Sequence, residues 1–207
     1  MFGRRKSVNY KSSMMYETWY RLNKSKLAML GLYILVFITL VAIFAPIIAP
    51  YGYDEQNTDK ILLSPCWEFP FGTDNFGRDI LSRMIYGARI TLMVGAVSVS
   101  FSALAGCALG IAAGFFKKLD NPIMRFMDIV AGIPYLLLAI AIGAALGAGL
   151  MNMVIAVGLS AIPGYARIAR ASVLTVKESE YIEAARSIGA SNFRIVWRHI
   201  LPNAISP

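Results

Sequence analysis

The stretch from Lys177 to Pro202 reads KESEYIEAARSIGASNFRIVWRHILP and alternates charged and apolar residues in a chain that is otherwise largely apolar. In its first half four apolar residues follow helical spacing: Tyr181, Ala184, Ala185 and Ile188. Gly189 suits the left-handed position after a helix, and Ser191 has the side chain of an N-cap. The same spacing then recurs in Phe193, Val196, Trp197 and Ile200. The stretch predicts two amphipathic helices separated by a glycine break, with Pro202 ending the second.

The apolar faces of such short helices need a covering surface, which can be the bilayer, the protein's own bundle or a partner protein. The small residues Ala184 and Ala185 favour a partner, because a flat face lets another backbone approach closely. The alternative is an interfacial hairpin lying on the inner leaflet of a membrane.

The spacing in this stretch resembles a known motif. Glu183-Ala184-Ala185, three further residues, Gly189 and the later pair Leu201-Pro202 are similar to the EAA loop of permease subunits of ATP-binding cassette (ABC) importers. His199 stands where the general pattern has isoleucine. The run 198–203, RHILPN, instead resembles the dipeptide, oligopeptide and nickel permease branch, in which histidine is usual.

This resemblance implies that residues 177–202 form a coupling helix lodged in a groove of a cytoplasmic ATPase subunit. Glu183 is then the polar contact on the ATPase, and the two alanines after it form the close-packed face. Gly189 makes the turn, and Leu201 and Pro202 anchor the second helix.

The composition of the 207 residues points to a membrane protein. Hydrophobic residues make up 57% of the chain, and the mean hydropathy is +0.58. The net charge of +8 does not indicate nucleic-acid binding, because no folded polar domain is available to carry a basic patch. A positive-inside bias explains the charge better.

The sequence shows no pattern for chemistry within this chain. One histidine and the isolated Cys66 and Cys107 give no metal-ligand spacing, and a disulfide between these cysteines is not expected. There is no G-x-x-x-x-G-K-[ST] and no G-x-G-x-x-G motif. We therefore expect no catalytic residues, metal or cofactor here, and we expect ATP and magnesium on partner ATPase subunits.

The N-terminal segment, residues 1–50, predicts a cytoplasmic basic tail followed by a membrane span at Leu27–Ala49. A cleaved signal peptide or a twin-arginine signal at Arg4-Arg5 are weaker alternatives, because the apolar run is too long for a signal peptide. Residues 19–31 and 43–50 resemble the N-terminal module of the C-type subunit in the peptide permease branch.

Residues 51–88 predict an extracytoplasmic loop that ends in a short interfacial helix with Ile80, Leu81, Met84 and Ile85 at helical spacing. Its GTDxxGRDxxSR string also resembles the peptide and nickel permeases and comprises Gly72, Thr73, Asp74, Gly77, Arg78, Asp79 and Arg83. The string serves either to contact a substrate-binding protein and gate the outer mouth, or to hold the loop as a capped turn; the second alternative is favoured.

Three further spans are predicted near residues 90–116, 129–150 and 153–165. Glycines spaced by four in the second span predict a helix-packing seam with an unidentified partner helix: Gly106, Gly110 and Gly114. Lys117, Lys118 and Arg125 mark an inner loop, with Asp128 expected to pair with Arg125 or Lys118 rather than face a water-filled path. We expect Pro134 to bend the third span and Pro163-Gly164 to interrupt the fourth.

The charge distribution sets the predicted topology. The tail, the short loop and the segment from Arg167 onward hold seven, three and six basic residues, sixteen of the twenty, on the side assigned to the cytoplasm. The N-terminus is then cytoplasmic, and four spans return the EAA loop to the same side.

The fold class expected is all-α, a polytopic membrane helix bundle of the type I ABC importer kind. Residues 89–207 are expected to be an incomplete ABC transmembrane domain, so that four spans of six are present and the chain ends before the last two. The implied function is that of a permease subunit in the cytoplasmic membrane. The implied partners are a second permease subunit, two ABC ATPase subunits, an extracytoplasmic substrate-binding protein and membrane lipid.

The substrate stays open among dipeptides, oligopeptides, nickel and glutathione. Asn152, Tyr135 and Ser160 are candidate path residues, although each is more often a polar residue satisfied between helices. Two rival functions are a secondary transporter, which the lack of ionisable residues in mid-span disfavours, and a truncated membrane anchor that transports nothing.

Overall fold

The computed structural model describes residues 19–20 and 22–204. Within these ranges the chain is helical, and its extended pairing is limited to one β-bridge between Thr73 and Asp79. This confirms the all-α prediction. The chain divides between Leu92 and Met93 into two compact units. Most of the predicted basic tail, residues 1–18, lies outside the described residues.

The helices are named in chain order. They are α1 (Lys26–Ile43), α2 (Ala45–Ile48), α3 (Ile80–Phe115), α4 (Lys117–Ala131), α5 (Tyr135–Leu146), α6 (Leu150–Lys177), α7 (Glu180–Ser187), α8 (Asn192–Ile195) and α9 (Leu201–Ala204). A 3-10 turn covers Thr58–Lys60, and a π-helical turn covers Val196–Ile200. In the part of the chain described, α1, α3 and α6 are long and apolar enough to cross a membrane, and α4 with α5 makes a fourth span if the bent pair counts as one.

The first span is shorter than the predicted run Leu27–Ala49. The hydroxyl of Ser25 caps α1 by accepting a hydrogen bond from the Ala28 N–H at 3.3 Å. The helix then ends before Phe44, and α2 begins with Pro46 in its first turn. Proline is tolerated there because the N–H groups of a first turn have no intrahelical partner. The run is therefore two consecutive helices rather than one.

Helix α3 is 36 residues long and corrects the prediction of a separate interfacial helix before the second span. Nothing between Ile80 and Phe115 breaks a helix, since this stretch has no proline and each of its five glycines costs only about 1 kcal/mol. At 1.5 Å per residue, α3 extends about 54 Å, longer than the roughly 30 Å apolar core of a bilayer.

The third span differs most from its prediction. The segment expected to be an inner loop is helix α4, and α4 meets α5 at an angle of 85°. The break falls at Gly132–Pro134, where proline has no N–H to donate and disfavours a helical conformation at Ile133. Helix α5 has 12 residues and covers only about 18 Å. The predicted bend at Pro134 is confirmed, but the continuous span 129–150 is wrong.

Helix α6 runs without interruption from Leu150 to Lys177, so the break predicted at Pro163-Gly164 is wrong. Pro163 removes one backbone donor, toward the carbonyl of Leu159, and it lies buried inside the second unit. Packing along the rest of a 28-residue helix outweighs the loss of that single bond.

Helix α6 lies against the predicted glycine seam of α3. A Cβ atom at Gly106 would lie 2.6 Å from the Tyr165 Cβ, and one at Gly114 would lie 2.9 Å from the Val173 Cβ. Both distances are too short for real carbon atoms, so only glycine permits this approach. Two hydroxyls of α3 also reach α6, because Ser98 donates to the carbonyl of Val154 at 3.1 Å and Ser102 donates to that of Gly158 at 2.8 Å.

Candidate docking hairpin

The segment Glu180–Ala204, here called the hairpin, takes its turn from local sequence. Gly189 has φ +80°, the left-handed conformation predicted for it. The Ala190 N–H donates to the carbonyl of Ala185 at 3.0 Å, and the Gly189 N–H donates to that of Arg186 at 2.9 Å. This pair of bonds is the Schellman closure of a helix. Ser191 then caps α8 by accepting from the Arg194 N–H at 3.4 Å, as its sequence position predicts.

The second half of the hairpin does not end where the sequence predicts. The helix widens into the π-helical turn Val196–Ile200, with the Leu201 N–H donating to the carbonyl of Val196. Pro202 then lies in the first turn of α9 and does not stop the helix before Ala204. A first turn tolerates proline because its N–H groups need no intrahelical acceptor.

One side of the hairpin packs on the ends of α3 and α6. Its buried core consists of Ile182, Ile195 and Ile200 together with Phe115 and Val173. Four of these side chains are at most 1% exposed, and Phe115 is 6% exposed. Burying an isoleucine side chain contributes about 1.5–3 kcal/mol, so this cluster fixes the hairpin firmly on the bundle.

Lys177, the last residue of α6, also links the end of α6 to the end of α3. Its Nζ donates to the carbonyls of Gly114 at 3.2 Å and Phe115 at 2.9 Å, which lie at the end of α3. These carbonyls have few intrahelical partners, and a lysine is favourable at the negative end of a helix dipole.

The opposite side of the hairpin leaves four large apolar side chains in the open: Tyr181, Ile188, Phe193 and Trp197. Ile188 is 85% exposed and Phe193 is 74% exposed. The Phe193 and Trp197 rings lie 6.1 Å apart, so the exposed groups are contiguous in this region. An exposed patch of this kind marks a protein or membrane contact.

These positions correct the predicted faces. Tyr181, Ala184 and Ile188 are exposed together, but Ala185 is buried and belongs to the packed side. In the second half Phe193 and Trp197 are exposed, whereas Ile200 is buried and Val196 is half-buried. Helical periodicity did not identify Ile182 and Ile195 as core residues of the hairpin. Ile195 and Ile200 are five residues apart, which is the spacing of one π-helical turn, and this spacing is the sequence signal for the second half of the core.

The other motif positions lie on the surface of the hairpin. Glu183 is exposed, with its backbone carbonyl accepting from the Ser187 hydroxyl at 3.0 Å. His199 is half-buried, and its ring lies 6.5 Å from that of Tyr181. Leu201 is half-buried and Pro202 is exposed. The carboxylate of Glu183 is therefore free to meet an external group.

A second motif lies in the polar loop, residues 49–79, where it is closed on itself. Asp74 accepts backbone hydrogen bonds from Phe76 at 2.9 Å and Arg78 at 3.1 Å. Its other oxygen accepts from the Arg78 Nε at 2.8 Å and from Arg83. Burial opposes ionisation of this carboxyl, but these hydrogen bonds outweigh it and lower the pKa of Asp74 to about 2.

Other residues of the GTDxxGRDxxSR string also form hydrogen bonds within the loop and the start of α3. The Thr73 hydroxyl donates to the Lys60 carbonyl at 2.5 Å and accepts from the Leu63 N–H at 2.8 Å. Asp79 caps α3, accepting from the N–H and the hydroxyl of Ser82 at 2.8 and 2.6 Å. Gly72 and Gly77 have φ near +75° and +72°. The string thus builds a tight loop, the arrangement favoured for it from sequence.

Two ion pairs join α4 to α6. Asp128 meets Arg167 at 3.1 Å, not Arg125 or Lys118 as expected. Asp120 accepts two hydrogen bonds from Arg170, at 2.5 and 2.7 Å. The sequence did not place these partners because they are 39 and 50 residues apart.

The candidate path residues are mostly satisfied locally. Asn152 donates to the carbonyls of Leu146 at 2.8 Å and Gly147 at 3.2 Å, closing the turn between α5 and α6. Ser160 is buried and donates to the carbonyl of Ala156, whereas Tyr135 is half exposed. Across the described ranges no three histidine, cysteine or acidic residues form a group that could hold a metal. The exposed side of the hairpin is the surface in the described ranges that can contact a partner.

Comparison with known proteins gives two family matches. Residues 102–207 match the model of the binding-protein-dependent transport system inner membrane component, and residues 13–65 match the N-terminal transmembrane domain of oligopeptide transport permease C. The first match covers the second unit from within α3 onward. It includes both the glycine seam and the hairpin.

Several curated proteins are similar over almost the whole chain. A dipeptide transport system permease protein, DppC, of Alkalihalophilus pseudofirmus is 43% identical over 192 residues, which is 92% of this chain and 63% of the relative. A di/tripeptide permease protein of Pseudomonas aeruginosa is 43% identical, covering 94% and 67%. A glutathione transport system permease protein of Escherichia coli is 41% identical, covering 92% and 64%. The chain spans about two thirds of the length of these relatives.

Proposed function

Since the chain belongs to the family of binding-protein-dependent transport system inner membrane components, we propose that it is a permease subunit of an ABC importer for di- or oligopeptides. It is an integral membrane protein with three long apolar helices in its described part. The proposed location is the cytoplasmic membrane, with the N-terminus and the hairpin in the cytoplasm, because the positive charges concentrate on that side. Glutathione and nickel are the next substrate classes to test, and a glutathione permease is among the similar proteins.

The observation that carries this proposal is the two-sided hairpin. Its core of buried isoleucines holds it rigidly on α3 and α6, and its other side exposes Tyr181, Ile188, Phe193 and Trp197. A rigid element with contiguous exposed aromatic groups suits transmission of movement from a partner, since aromatic side chains dominate binding energy at protein interfaces. We propose that this partner is a cytoplasmic ABC ATPase subunit.

In this assignment Glu183 supplies a polar contact and Ala184 permits close approach beside it. Ala185 stabilises the hairpin by its burial, and Gly189 stabilises it by forming the turn. Leu201, which is half-buried, also stabilises it. ATP and magnesium bind on the ATPase subunits, and this chain carries out no catalytic step. A second permease subunit completes the path, and a substrate-binding protein delivers substrate from outside.

The test is recovery of the ATPase with the tagged permease. We expect Trp197→Ala to lower recovery about tenfold or more, as truncating a central aromatic at an interface costs about 2 kcal/mol. The matched control is Trp67→Ala, which removes a fully exposed tryptophan from the polar loop and leaves recovery unchanged. Both variants lose the same side chain, so general effects of tryptophan removal cancel.

Normal ATPase recovery with Trp197→Ala, Ile188→Ala and a triple substitution of Glu183, Ala184 and Ala185, at normal expression, would refute the coupling role. The hairpin would then be a membrane-surface element. Uptake into vesicles without ATP would refute the ABC mechanism separately.

A further inference from the structure

A basic cavity of about 620 Å³ lies beside the hairpin. It forms where the end of α3 and the start of α4 meet the end of α6 and the hairpin. Its lining consists of Phe115, Phe116, Lys117, Lys118, Leu119, Lys177, Arg186 and Asn192. Half of these eight residues are cations and none is acidic, so the cavity suits an anion.

Asp120 attracts Lys177, but none of the four cations forms an ion pair with an acid in the described chain. These cations are Lys117, Lys118, Lys177 and Arg186. Asp120 lies one residue from the cavity lining, but Arg170 holds its carboxylate with two hydrogen bonds. The positive potential of the cavity therefore remains available to a ligand.

Two of these cations are held in place. Lys177 is fixed by the carbonyls of Gly114 and Phe115, and its Nζ lies 5.7 Å from the centre of the Phe115 ring. The Arg186 guanidinium lies 5.8 Å from the same ring centre. Contacts with an aromatic face restrict both groups without cancelling their charge.

The backbone contributes at the same place. The cavity contains the start of α4, a helix of 15 residues whose N-cap, Phe116, offers no side-chain hydrogen bond. The first N–H groups of a helix need an acceptor, and the helix dipole favours an anion there. The carbonyl end of α3 lies at the same corner, but Lys177 occupies the carbonyls of Gly114 and Phe115.

The rim of the cavity is apolar. Phe116 is 44% exposed and Leu119 is 43% exposed, immediately beside Lys117 and Lys118. A free inorganic anion would gain nothing from these side chains, whereas a phospholipid has an anionic phosphate joined to apolar acyl chains. The combination favours a lipid over a soluble phosphate.

We propose that this cavity binds the phosphodiester headgroup of an anionic phospholipid of the inner leaflet, with its acyl chains along Phe116 and Leu119. The inference rests on the proposed function only for the side of the membrane on which the cavity lies. A bound lipid would brace the junction of α3, α4 and the hairpin.

The experiment measures lipid binding to the purified transporter, together with its partner subunits, by native mass spectrometry. The probes are phosphatidylglycerol and phosphatidylcholine. Lys117→Gln/Lys118→Gln removes two exposed cations of the cavity, and Arg194→Gln/Arg198→Gln removes two exposed cations of the hairpin that do not line it. The two double variants lose the same charge.

We expect the cavity variant to bind phosphatidylglycerol about 30-fold more weakly, since each basic residue near a lipid surface contributes about a fivefold factor. The control variant should change by less than about threefold, and phosphatidylcholine binding should be weak throughout. Equal losses in both double variants would overturn the proposal in favour of general surface electrostatics. Competition by excess inorganic phosphate, with no preference for the lipid, would overturn the lipid assignment.

ATPase recovery is recorded in the same preparations. Weak lipid binding by the unmodified complex with normal ATPase recovery refutes the cavity proposal alone. Loss of the ATPase from the unmodified complex refutes the proposed function, whatever the lipid result.

Discussion

The polar loop and the hairpin both contain sequence strings of particular spacing, but their side chains are directed differently. In the loop, Asp74 and Thr73 satisfy their hydrogen bonds within the loop and its adjoining helix. In the hairpin, Ile188, Phe193 and Trp197 point away from the chain's own core. A recognisable spacing can therefore arise from internal construction or from contact with a partner, and only the structure separates the two.

The largest expected effect comes from a comparison of two glycines, Gly77 and Gly189, which share the left-handed backbone conformation. Gly77→Ala places a Cβ against the backbone carbonyl of Asn57 and strains a residue at φ +72°. We expect a loss of about 3 kcal/mol or more from the two effects together. Gly189→Ala has the same strain at φ +80° but meets nothing within 4 Å, so it should cost about 1 kcal/mol. Thermal unfolding of the purified variants gives the two values, and equal losses would contradict the comparison.

The next effect concerns the acid stability of the loop. Asp74→Asn removes the charge that holds Arg78 and Arg83, and we expect it to cost about 2 kcal/mol at pH 7. Because the folded pKa of Asp74, about 2, lies below its value of about 3.9 in unfolded chains, its stabilisation is complete above about pH 4 and is lost as the pH falls toward 2.

Hydrogen exchange at the backbone N–H groups of Phe76 and Arg78 is the measurement for this change. Protection should persist at pH 5 in the unmodified chain and be reduced at every pH in Asp74→Asn. Protection that already disappears between pH 6 and pH 5 would show that Asp74 does not hold the loop.

The smallest expected change in stability is at Gly189, where two substitutions separate the effect of the turn from the effect of charge on ATPase binding. Gly189→Asn keeps the turn at a cost below about 1 kcal/mol, because asparagine tolerates the left-handed conformation. Gly189→Asp adds a negative charge at the same place, and we expect it to weaken ATPase recovery more than Gly189→Asn does. Recovery is compared at equal expression, and identical recovery with both variants would show that charge at the turn is irrelevant to docking.

Local chemistry accounts for what the sequence predicted well. The cap at Ser191 and the turn at Gly189 each depend on a few adjacent residues, so they could be assigned without tertiary information. The spacing of Gly106 and its successors likewise predicted close packing, although α6 as the partner emerged only from the structure.

Long-range packing accounts for what it predicted poorly. Pro134 and Pro163 look alike in sequence, but one lies at an 85° break and the other inside a continuous helix. Gly132 precedes the first, while burial against neighbouring helices stabilises the second. The choice between Ile182 and Tyr181 as the inward side chain of α7 also depends on where Phe115 and Val173 lie, which no local pattern contains.

Because α6 is continuous, a displacement at one of its ends also moves the other end. Only Glu178 and Ser179 separate its last residue from the hairpin, and its 28 residues extend about 42 Å without a joint at Pro163. A sideways displacement of about 3 Å at the hairpin corresponds to a tilt of about 4° along this rod. Such a tilt reaches Leu150 at the far end of α6 without any helix having to unfold, so a small movement at the hairpin displaces the opposite end of the helix.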